Sequence, residues 1–272
     1  ETVEPGLTEV LFQAYKEVPE QHRQLFKLKD SQQANEDYLT VAGFESMPAK
    51  DEGEPIVQDE MMEAYKTTLT NVTYALGARL TLEAIEDQLY RLFAGLTASL
   101  GVSGRNAGEL SGANVFIRGF NDSYTGGDSE PLFGDNAAGT HPLKGGGTTR
   151  NTPSTASDLS FTSLSQAIID IRATVNDRGL LVVLHPEILV VPPELETTAL
   201  QLIQSENQPF TAENQNNVFR RRLRVVVNDY LTDTDAWFIL CKEHKLIFQE
   251  RLAMTPRTAV DPDTGDMIYS CR

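Results

Sequence analysis

The spacing of apolar residues predicts helical and strand-like stretches in alternation along the chain. Near the N-terminus a short apolar stripe has helical period, with members at Leu7, Val10, Leu11 and Tyr15. A helix with so few apolar positions has little core to cover. It is expected either to lie as an arm on a neighbouring molecule or to be a frayed terminus, and the sequence leaves both interpretations open.

Two strand-like segments follow, at residues 38–44 and 64–76. An acidic, flexible segment, residues 45–55, separates them. Two strands without a third partner make a marginal hairpin in water. The hairpin is therefore expected to need a neighbouring molecule that buries it.

The next stretch predicts either one very long helix or two in succession. Its apolar positions are Leu82, Ile85, Leu89, Leu92, Leu96, Leu100, Ala113, Phe116, Ile117 and Phe120. The stretch also contains six glycines, at positions 95, 101, 104, 108, 112 and 119. At roughly 1 kcal/mol each, they would cost about 5 to 6 kcal/mol in a helix. Close packing must offset that cost, or the helix is broken in its middle.

Residues 121–158 predict a long loop rich in glycine, asparagine and threonine. A helix follows, with Ser160 or Thr162 as its N-cap and Gly179 as its end. Its apolar face is Phe161, Leu164, Ile168, Ile171 and Val175. Residues 180–184 then predict a buried strand that continues at 188–191 after a turn at His185.

The last third of the chain predicts another helix and several strands. Pro192 and Pro193 open the helix, whose inward residues are Leu195, Ala199, Leu202 and Ile203. After a polar loop, strands are expected at residues 223–228, 237–241 and 246–249, and residues 268–269 begin another. A long helix early, antiparallel strands late and a helix-strand-helix unit between them predict an α+β fold.

Composition narrows the function classes. The 272 residues include 23 basic and 39 acidic side chains, a formal charge of −16. This balance argues against a reader of DNA sequence, because such proteins neutralise phosphates. No stretch approaches the roughly 20 apolar residues of a membrane helix, and the N-terminus lacks a secretory signal. The two cysteines, Cys241 and Cys271, lack metal-type spacing and favour a reducing compartment.

No catalytic, cofactor-binding or metal-ligating residues are expected. Lys144 precedes the glycines at 145–147, whereas a P-loop lysine follows the last glycine. Glu83 and Asp87 share a helix face, where paired carboxylates are usually solvated. Residues 261–266 resemble part of a calcium loop but fit a hairpin turn better. The four histidines lie far apart in the sequence, at positions 22, 141, 185 and 244.

Two basic features stand out in so acidic a chain. The first is a run of arginines, Arg220, Arg221, Arg222 and Arg224. These side chains could pair with carboxylates of a neighbouring subunit, contact a polyanion, or form the solvated edge of a strand. Lys50 lies in the acidic segment; the usual role of such a lysine is solvation.

Several motifs together resemble one family. They are Leu132-Phe133, Gly139-Thr-His-Pro142, the glycines at 145–147, Asp158-Leu159 with Ser163-Leu164, Asp177-Arg-Gly179, residues 189–195 with Ala199, Val225-Val-Val-Asn228 with residues 231–233, and Ala236-Trp-Phe238. Residues 80–87 fit the segment before that family's long helix. The chain resembles phage major capsid proteins of the Hong Kong 97-type (HK-97) fold, especially the Mu-like major head subunits.

The resemblance implies an architecture. It assigns an N-terminal arm to residues 1–36, an extended E-loop hairpin to 37–80 and a spine helix, within a peripheral domain, to 81–120. Residues 121–214 would form an axial domain, and 215–272 the strands of the peripheral domain. Lys50, in the E-loop, would be a candidate for an isopeptide crosslink with an asparagine, as in some relatives.

The function implied by the resemblance is structural and not enzymatic. The subunit would self-assemble into hexamers and pentamers of an icosahedral shell around double-stranded DNA, without sequence-specific DNA contacts. Portal, scaffolding, maturation protease and decoration proteins are the other implied partners, with assembly in the host cytoplasm, no membrane and no cofactors. The missing initiator methionine before Glu1 suggests removal of a scaffolding segment. The alternative is a cytosolic α+β enzyme with a mobile loop, residues 121–158, over its pocket.

Overall fold

The computed structural model describes residues 3–87, 90–134, 140–209 and 215–272. Leu89 of the predicted helical stripe and Gly139 of the Thr-His-Pro motif lie outside these residues. The chain divides into two compact units. Unit 1 comprises Glu1–Ala34, Thr70–Gly112 and Leu246–Arg272, and unit 2 comprises Asn35–Leu69 and Ala113–Lys245.

The described residues form five α-helices and twelve strands. In chain order these are α1 (Val3–Glu17), β1 (Lys27–Asp30), β2 (Asn35–Ala42), β3 (Met62–Thr70), β4 (Leu76–Leu80), α2 (Leu82–Glu86), α3 (Tyr90–Ile117), β5 (His141–Pro142), β6 (Thr148–Thr149), α4 (Phe161–Arg172), β7 (Pro186–Val191), α5 (Glu196–Gln204), β8 (Arg224–Val227), β9 (Phe238–Cys241), β10 (Ile247–Glu250), β11 (Pro256–Val260) and β12 (Met267–Cys271). Short 3₁₀ turns occupy His22–Gln24 and Pro193–Leu195.

Unit 1 contains a three-stranded sheet with the order β11-β12-β4, antiparallel throughout. A parallel pair joins β1 to β10. The buried core of the unit includes Leu7, Leu11, Phe93, Leu100 and Tyr269. The N-terminal helix α1 therefore has a core of its own to cover within unit 1, and the expectation that it had little is wrong.

The stretch that begins at Leu82 contains two described helices, α2 and α3, and α3 itself is continuous over 28 residues, so its glycines do not break it. Three of its glycines lie where a side chain would meet a neighbouring segment of unit 1. A Cβ added at Gly101 would come within 2.4 Å of the Leu11 carbonyl oxygen, and one at Gly112 within 2.8 Å of His22. One at Gly104 would lie 3.0 Å from Met254. Close packing at these glycines is thus confirmed, whereas Gly119 lies beyond the end of the helix.

The main core of unit 2 surrounds the sheet β8-β7-β9. β7 pairs parallel with β8 and antiparallel with β9, so the expectation of antiparallel strands is wrong for β8. The helices α4 and α5 supply much of the apolar side of this core, which includes Leu164, Ile168, Leu189, Val191, Ala199, Leu202 and Ile203. The predicted N-cap Ser160 is confirmed, because its hydroxyl accepts from the Ser163 backbone N–H in a capping box.

Residues 180–184 do not form the predicted buried strand. Leu181 and Val183 are 64% and 69% exposed. The helix α4 ends at Arg172, so Gly179 does not end it. Gly179 instead has φ +75°, in a turn where the Asn176 side chain accepts from the Leu180 backbone N–H. The run of apolar residues after this turn predicts a buried strand, but sequence periodicity alone does not report how exposed the residues are.

The predicted strand at residues 64–76 divides in two. β3 ends at Thr70, and β4 pairs with β12 in a different sheet. The strand β11 was not predicted, but the turn between β11 and β12 is confirmed, because Gly265 has φ +77° and Asp261 and Asp266 share backbone hydrogen bonding. In residues 121–158, the described part contains only the short strands β5 and β6.

Candidate functional site

The hairpin formed by β2, β3 and the loop between them is the most exposed apolar feature of unit 2. The hairpin loop, residues 43–61, carries large apolar side chains that are exposed to solvent in the single chain. Met47 is 95% exposed, Ile56 78%, Val57 70% and Met61 67%. Isolated exposed apolar residues are ordinary, but a group of this kind in one loop marks an interaction surface.

The two strands of the hairpin run in opposite directions. Asp37, near the start of β2, accepts from Thr68 Oγ1, near the end of β3, at 2.6 Å. Asp37 also forms a 2.8 Å ion pair with Lys66. The hydrogen bonds from Lys66 and Thr68 hold the pKa of the exposed Asp37 carboxyl below its usual value. Such an exposed pair sets the register more than it adds stability.

One end of β3 rests on a loop of the same unit. The Tyr65 hydroxyl donates to the Pro142 carbonyl oxygen at 2.9 Å. The Lys144 ammonium lies 4.3 Å from the centre of the Tyr65 ring, a cation–π contact. Desolvation raises the pKa of the Tyr65 phenol, and the negative charges of Asp128 and Asp177 raise it further. The phenol therefore stays protonated and remains a donor.

A glycine allows a second close approach to β3. A Cβ added at Gly127 would lie 2.4 Å from the Lys66 carbonyl oxygen, so only glycine fits there without movement. The next residue, Asp128, contacts His141 Nδ1 through Oδ2 at 2.6 Å. This pair ties the segment at residues 127–128 to β5.

A tight turn, residues 176–179, contacts both the glycine loop and the two ends of the hairpin loop. The Gly145 backbone N–H donates to the Asp177 carbonyl oxygen at 2.9 Å. A Cβ at Gly145 would lie 2.4 Å from the same oxygen. We call residues 127–128, 141–149 and 176–179 the hairpin seat.

Arg178 bonds to both ends of the hairpin loop. Its guanidinium donates to the Gly43 carbonyl oxygen at 3.2 Å and to the Glu60 carbonyl oxygen at 2.8 Å. It also pairs with the carboxylates of Glu45 at 3.3 Å and Asp59 at 3.5 Å. The Arg178 side chain is only 8% exposed.

The hairpin seat brings together motifs that lie apart in the sequence. It contains residues from several separate sequence motifs: Pro142, Lys144, the glycines at 145–147 and Asp177-Arg-Gly179. The Gly145 and Gly146 amides donate within the chain, to Asp177 and Leu143. The Lys144 ammonium faces Tyr65 rather than an open phosphate cradle.

His22, His141 and His185 form carboxylate pairs that sequence reasoning missed. His22 pairs with Glu109, His141 with Asp128, and the exposed His185 with Glu243. The His185 backbone and ring donate to Glu243 and lower the pKa of that carboxyl to about 2. The partners are 87, 13 and 58 positions apart, so no local motif signals them. Within the described ranges, no group of three or more His, Cys, Asp or Glu could hold a metal ion.

Arg220, Arg221 and Arg222 lie in a turn before β8, whereas the exposed Arg224 is the first residue of β8, an edge strand of its sheet. Arg220 pairs with Glu206 at 2.7 Å. Arg221 has φ +56° and donates its backbone N–H to Ile203. Contacts of this run with a neighbouring subunit or a polyanion stay predictions. Lys50 is exposed, and its Nζ donates to the Asp51 carbonyl oxygen at 3.3 Å; its crosslinking also stays a prediction.

Two surface cavities, of about 200 and 470 Å³, are lined by residues outside the loop at 121–158. The larger borders Arg221, Arg222 and Arg224, and the smaller borders Phe116, Phe120 and Phe238. Among the residues that the structure describes, no helix is long and apolar enough to cross a membrane.

Comparison with solved structures reveals the same fold in virus-like shells. The capsid protein of bacteriophage JBD30 is 15% identical, with a TM-score of 0.62 over 79% of this chain and 92% of that one. A capsid protein of an empty GTA particle is 12% identical, with a TM-score of 0.52 over 92% of this chain and 82% of that one. The virus-like particle protein from Pyrococcus furiosus is 10% identical, with a TM-score of 0.52 over 97% and 90%.

Sequence comparison gives the family. No curated protein matches the chain. The model of the family described as phage capsid protein matches residues 64–272, which include β3 from its third residue onward, the helices α2 to α5, and the hairpin seat. The exposed hairpin, the α+β fold of capsid proteins and this match lead to one conclusion: the chain belongs to the phage capsid protein family.

Proposed function

We propose that this protein is a major capsid subunit of the HK-97 type, which self-assembles into hexamers and pentamers of an icosahedral shell around double-stranded DNA. Family membership supports a structural, non-enzymatic role in the virion and gives no support to the enzyme alternative. Within this fold, a particular closeness to Mu-like head subunits is part of the proposal and rests on the motifs quoted above.

We assign the parts of the subunit accordingly. Residues 1–36 are the N-terminal arm, 37–80 the E-loop segment with its hairpin ending at Thr70, and 81–120 the spine helix. Residues 121–214 form the axial domain, and 215–272 contribute the strands of the peripheral domain. The 28-residue α3 and the two-stranded hairpin with its exposed loop support this assignment.

The observation that carries the proposal is the exposure of the hairpin loop. Met47, Ile56, Val57 and Met61 are two-thirds exposed or more. Leaving these side chains in water forgoes roughly 1.5–3 kcal/mol for each that could be fully buried. Closed symmetric assemblies bury such a surface against an identical copy, once per subunit around a ring.

Other partners belong to the proposal as well. One solved JBD30 capsid is decorated with minor capsid protein trimers, and another JBD30 structure is a procapsid. We propose that this subunit likewise meets decoration, scaffolding, portal and maturation protease proteins, assembles in the host cytoplasm, and encloses DNA without sequence-specific contacts. The net charge of −16 supports weak contact with the packaged phosphates.

Sedimentation velocity and negative-stain microscopy of the purified full chain test the proposal. We expect closed particles under conditions that support assembly. The double substitution Ile56→Glu and Val57→Glu is expected to abolish them while leaving the melting temperature of the subunit unchanged, because both side chains are exposed.

Gln58→Glu is the matched control, since it adds charge to the same exposed loop without removing an apolar side chain. This variant should still assemble. A wild-type chain that remains monomeric or dimeric across salt, pH and crowding conditions would contradict the proposed function. Normal particles from the double variant would show that the loop does not carry assembly.

A further inference from the structure

We propose that Arg178 is the positioning residue for the hairpin: it fixes the direction in which the hairpin loop projects from unit 2. The inference rests on the proposed function only for its consequence in assembly. The contact itself is a property of the single chain and is measurable without particles.

Arg178 contacts the chain at both points where the hairpin loop leaves the strands. Gly43 directly follows β2, and Glu60 lies two residues before β3. The Arg178 guanidinium bonds to the carbonyl oxygens of both, so one rigid planar group spans the two strands where the loop leaves them. A swing of the loop in either direction breaks at least one of these bonds.

Arg178 also lies between two carboxylates of the hairpin loop. Glu45 and Asp59 accept from Arg178 at the same point, and the Glu45 backbone N–H donates to Asp59 Oδ2 at 2.9 Å. The two carboxylates repel each other without a cation between them. Arg178 therefore holds two like charges together at the neck of the hairpin loop. The Arg178 side chain is almost buried, but the side chains of Glu45 and Asp59 are 68% and 32% exposed, so solvent screens the pair with Glu45 more than the pair with Asp59.

Arg178 is itself held in place by hydrogen bonds within its own turn. The Asn176 side chain accepts from the backbone N–H groups of Arg178 and Leu180, at 3.0 and 2.9 Å. Gly179 supplies the left-handed conformation that the turn needs, with φ +75°. Asp177 in the same turn accepts from Gly145. The guanidinium thus projects from a turn that is bonded to the glycine loop. Through this turn, Arg178 holds the hairpin loop in a fixed position relative to the rest of the hairpin seat.

Tyr65 does not duplicate this role. Its hydroxyl bonds to Pro142 from within β3, three residues after the strand begins. That contact anchors one strand, whereas Arg178 bonds to the loop at the ends of both strands. Loss of Arg178 should therefore leave the strands paired and free the loop to sample several directions.

The test is a distance measurement between two spin labels in the unassembled full chain. One label replaces Lys50 in the hairpin loop and the other replaces the exposed Gln201 of α5, in a background where both native cysteines are serine. Pulsed electron paramagnetic resonance then reports the distribution of loop directions. We expect one narrow population for the parent, a broad or multiple distribution for Arg178→Gln, and an intermediate one for Arg178→Lys, which keeps the charge without the fork.

Arg172→Gln is the matched control, since it removes one arginine charge from the exposed end of α4. It should leave the distribution narrow. Circular dichroism and the melting temperature check that each variant folds; should Arg178→Gln fail to fold, Glu45→Gln with Asp59→Asn removes the same ion pairs from the other side and should also broaden the distribution.

A narrow, parent-like distribution in folded Arg178→Gln overturns the inference, whatever the particles do. Assembly is read separately by sedimentation. If the parent forms particles and Arg178→Gln loses at least tenfold in particle yield, Arg178 has a role in assembly. Equal yields would mean that its positioning role matters only in the unassembled subunit. Absence of parent particles would count against the proposed function and not against the positioning role.

Discussion

His22 and Glu109 form a buried pair in unit 1, with His22 Nδ1 2.7 Å from Glu109 Oε1. The Glu109 carboxylate also accepts from the backbone N–H groups of His22 at 2.8 Å and Gln21 at 3.2 Å. Glu109 is 1% exposed and projects from α3. One carboxylate therefore receives three hydrogen bonds from the 3₁₀ turn that follows α1, and fastens that turn to the helix.

The substitution Glu109→Gln is expected to cost about 1–3 kcal/mol at neutral pH, because it removes the charged acceptor from buried donors. Burial raises the pKa of the Glu109 carboxyl, but the hydrogen bonds from His22 lower it more, so its pKa lies below the usual 4.5. The stabilisation is thus fully present above pH 4.5 and is lost as the pH falls through the lowered pKa.

Urea denaturation midpoints of parent and variant, compared between pH 7 and pH 3, measure this effect. The difference between the two proteins should shrink in acid. Glu9→Gln, on the exposed side of α1, is the control and should change little at any pH. A difference that stays constant while the pH falls far enough to protonate the Glu109 carboxyl would show that its charge is irrelevant to stability.

Gly101→Ala should destabilise the protein although alanine favours helices. The added Cβ would lie 2.4 Å from the Leu11 carbonyl oxygen and 3.1 Å from the Tyr15 nitrogen, and both are backbone atoms of α1. Overpacking of this kind costs about 1–3 kcal/mol. Gly108→Ala in the same helix meets nothing within 4 Å and should gain up to about 1 kcal/mol. Thermal unfolding of the two variants should therefore shift in opposite directions, and shifts of the same sign would contradict this packing.

Gly145→Ala should disturb the hairpin seat. Its Cβ would lie 2.4 Å from the Asp177 carbonyl oxygen and would push the turn at residues 176–179 away from the glycine loop. We expect a loss of about 1–3 kcal/mol in stability and a broader distribution of hairpin directions in the spin-label experiment. Gly95→Ala in α3, whose Cβ meets nothing within 4 Å, is the control outside the hairpin seat and should leave the distribution of hairpin directions unchanged. Unchanged stability and direction in Gly145→Ala would show that the turn yields without effect.

Sequence patterns correctly predicted the secondary-structure elements that depend on interactions between residues close in the sequence. The capping box at Ser160 and the turn before β12 follow from side chains that bond to nearby backbone groups. The helix after Pro193 follows from the fixed φ of proline at a first helical turn. The continuity of α3 did not follow, since the cost of its glycines is decided by contacts with α1 and Met254, which are distant in sequence. Packing overrode propensity there.

The site was predictable only in parts. The exposure of the hairpin could be expected, because two strands cannot cover an apolar face. The role of Arg178 could not, since its contacts lie more than a hundred positions away along the chain. The same holds for the pairing of β4 with β12, nearly two hundred positions apart, which sequence periodicity does not encode.

Cys241, in β9, should react slowly with alkylating agents in the folded protein. Burial raises the pKa of its thiol, with a contribution from the Glu243 charge, from an ordinary 9.0 to about 11. A difference of two units lowers the thiolate fraction at pH 8 about a hundredfold, and the thiolate is the reactive form. Mass spectrometry of iodoacetamide labelling at Cys241 should thus show a rate about a hundred times lower than in urea-unfolded chain. Labelling at the unfolded rate would mean that β9 opens or that the thiol is not desolvated.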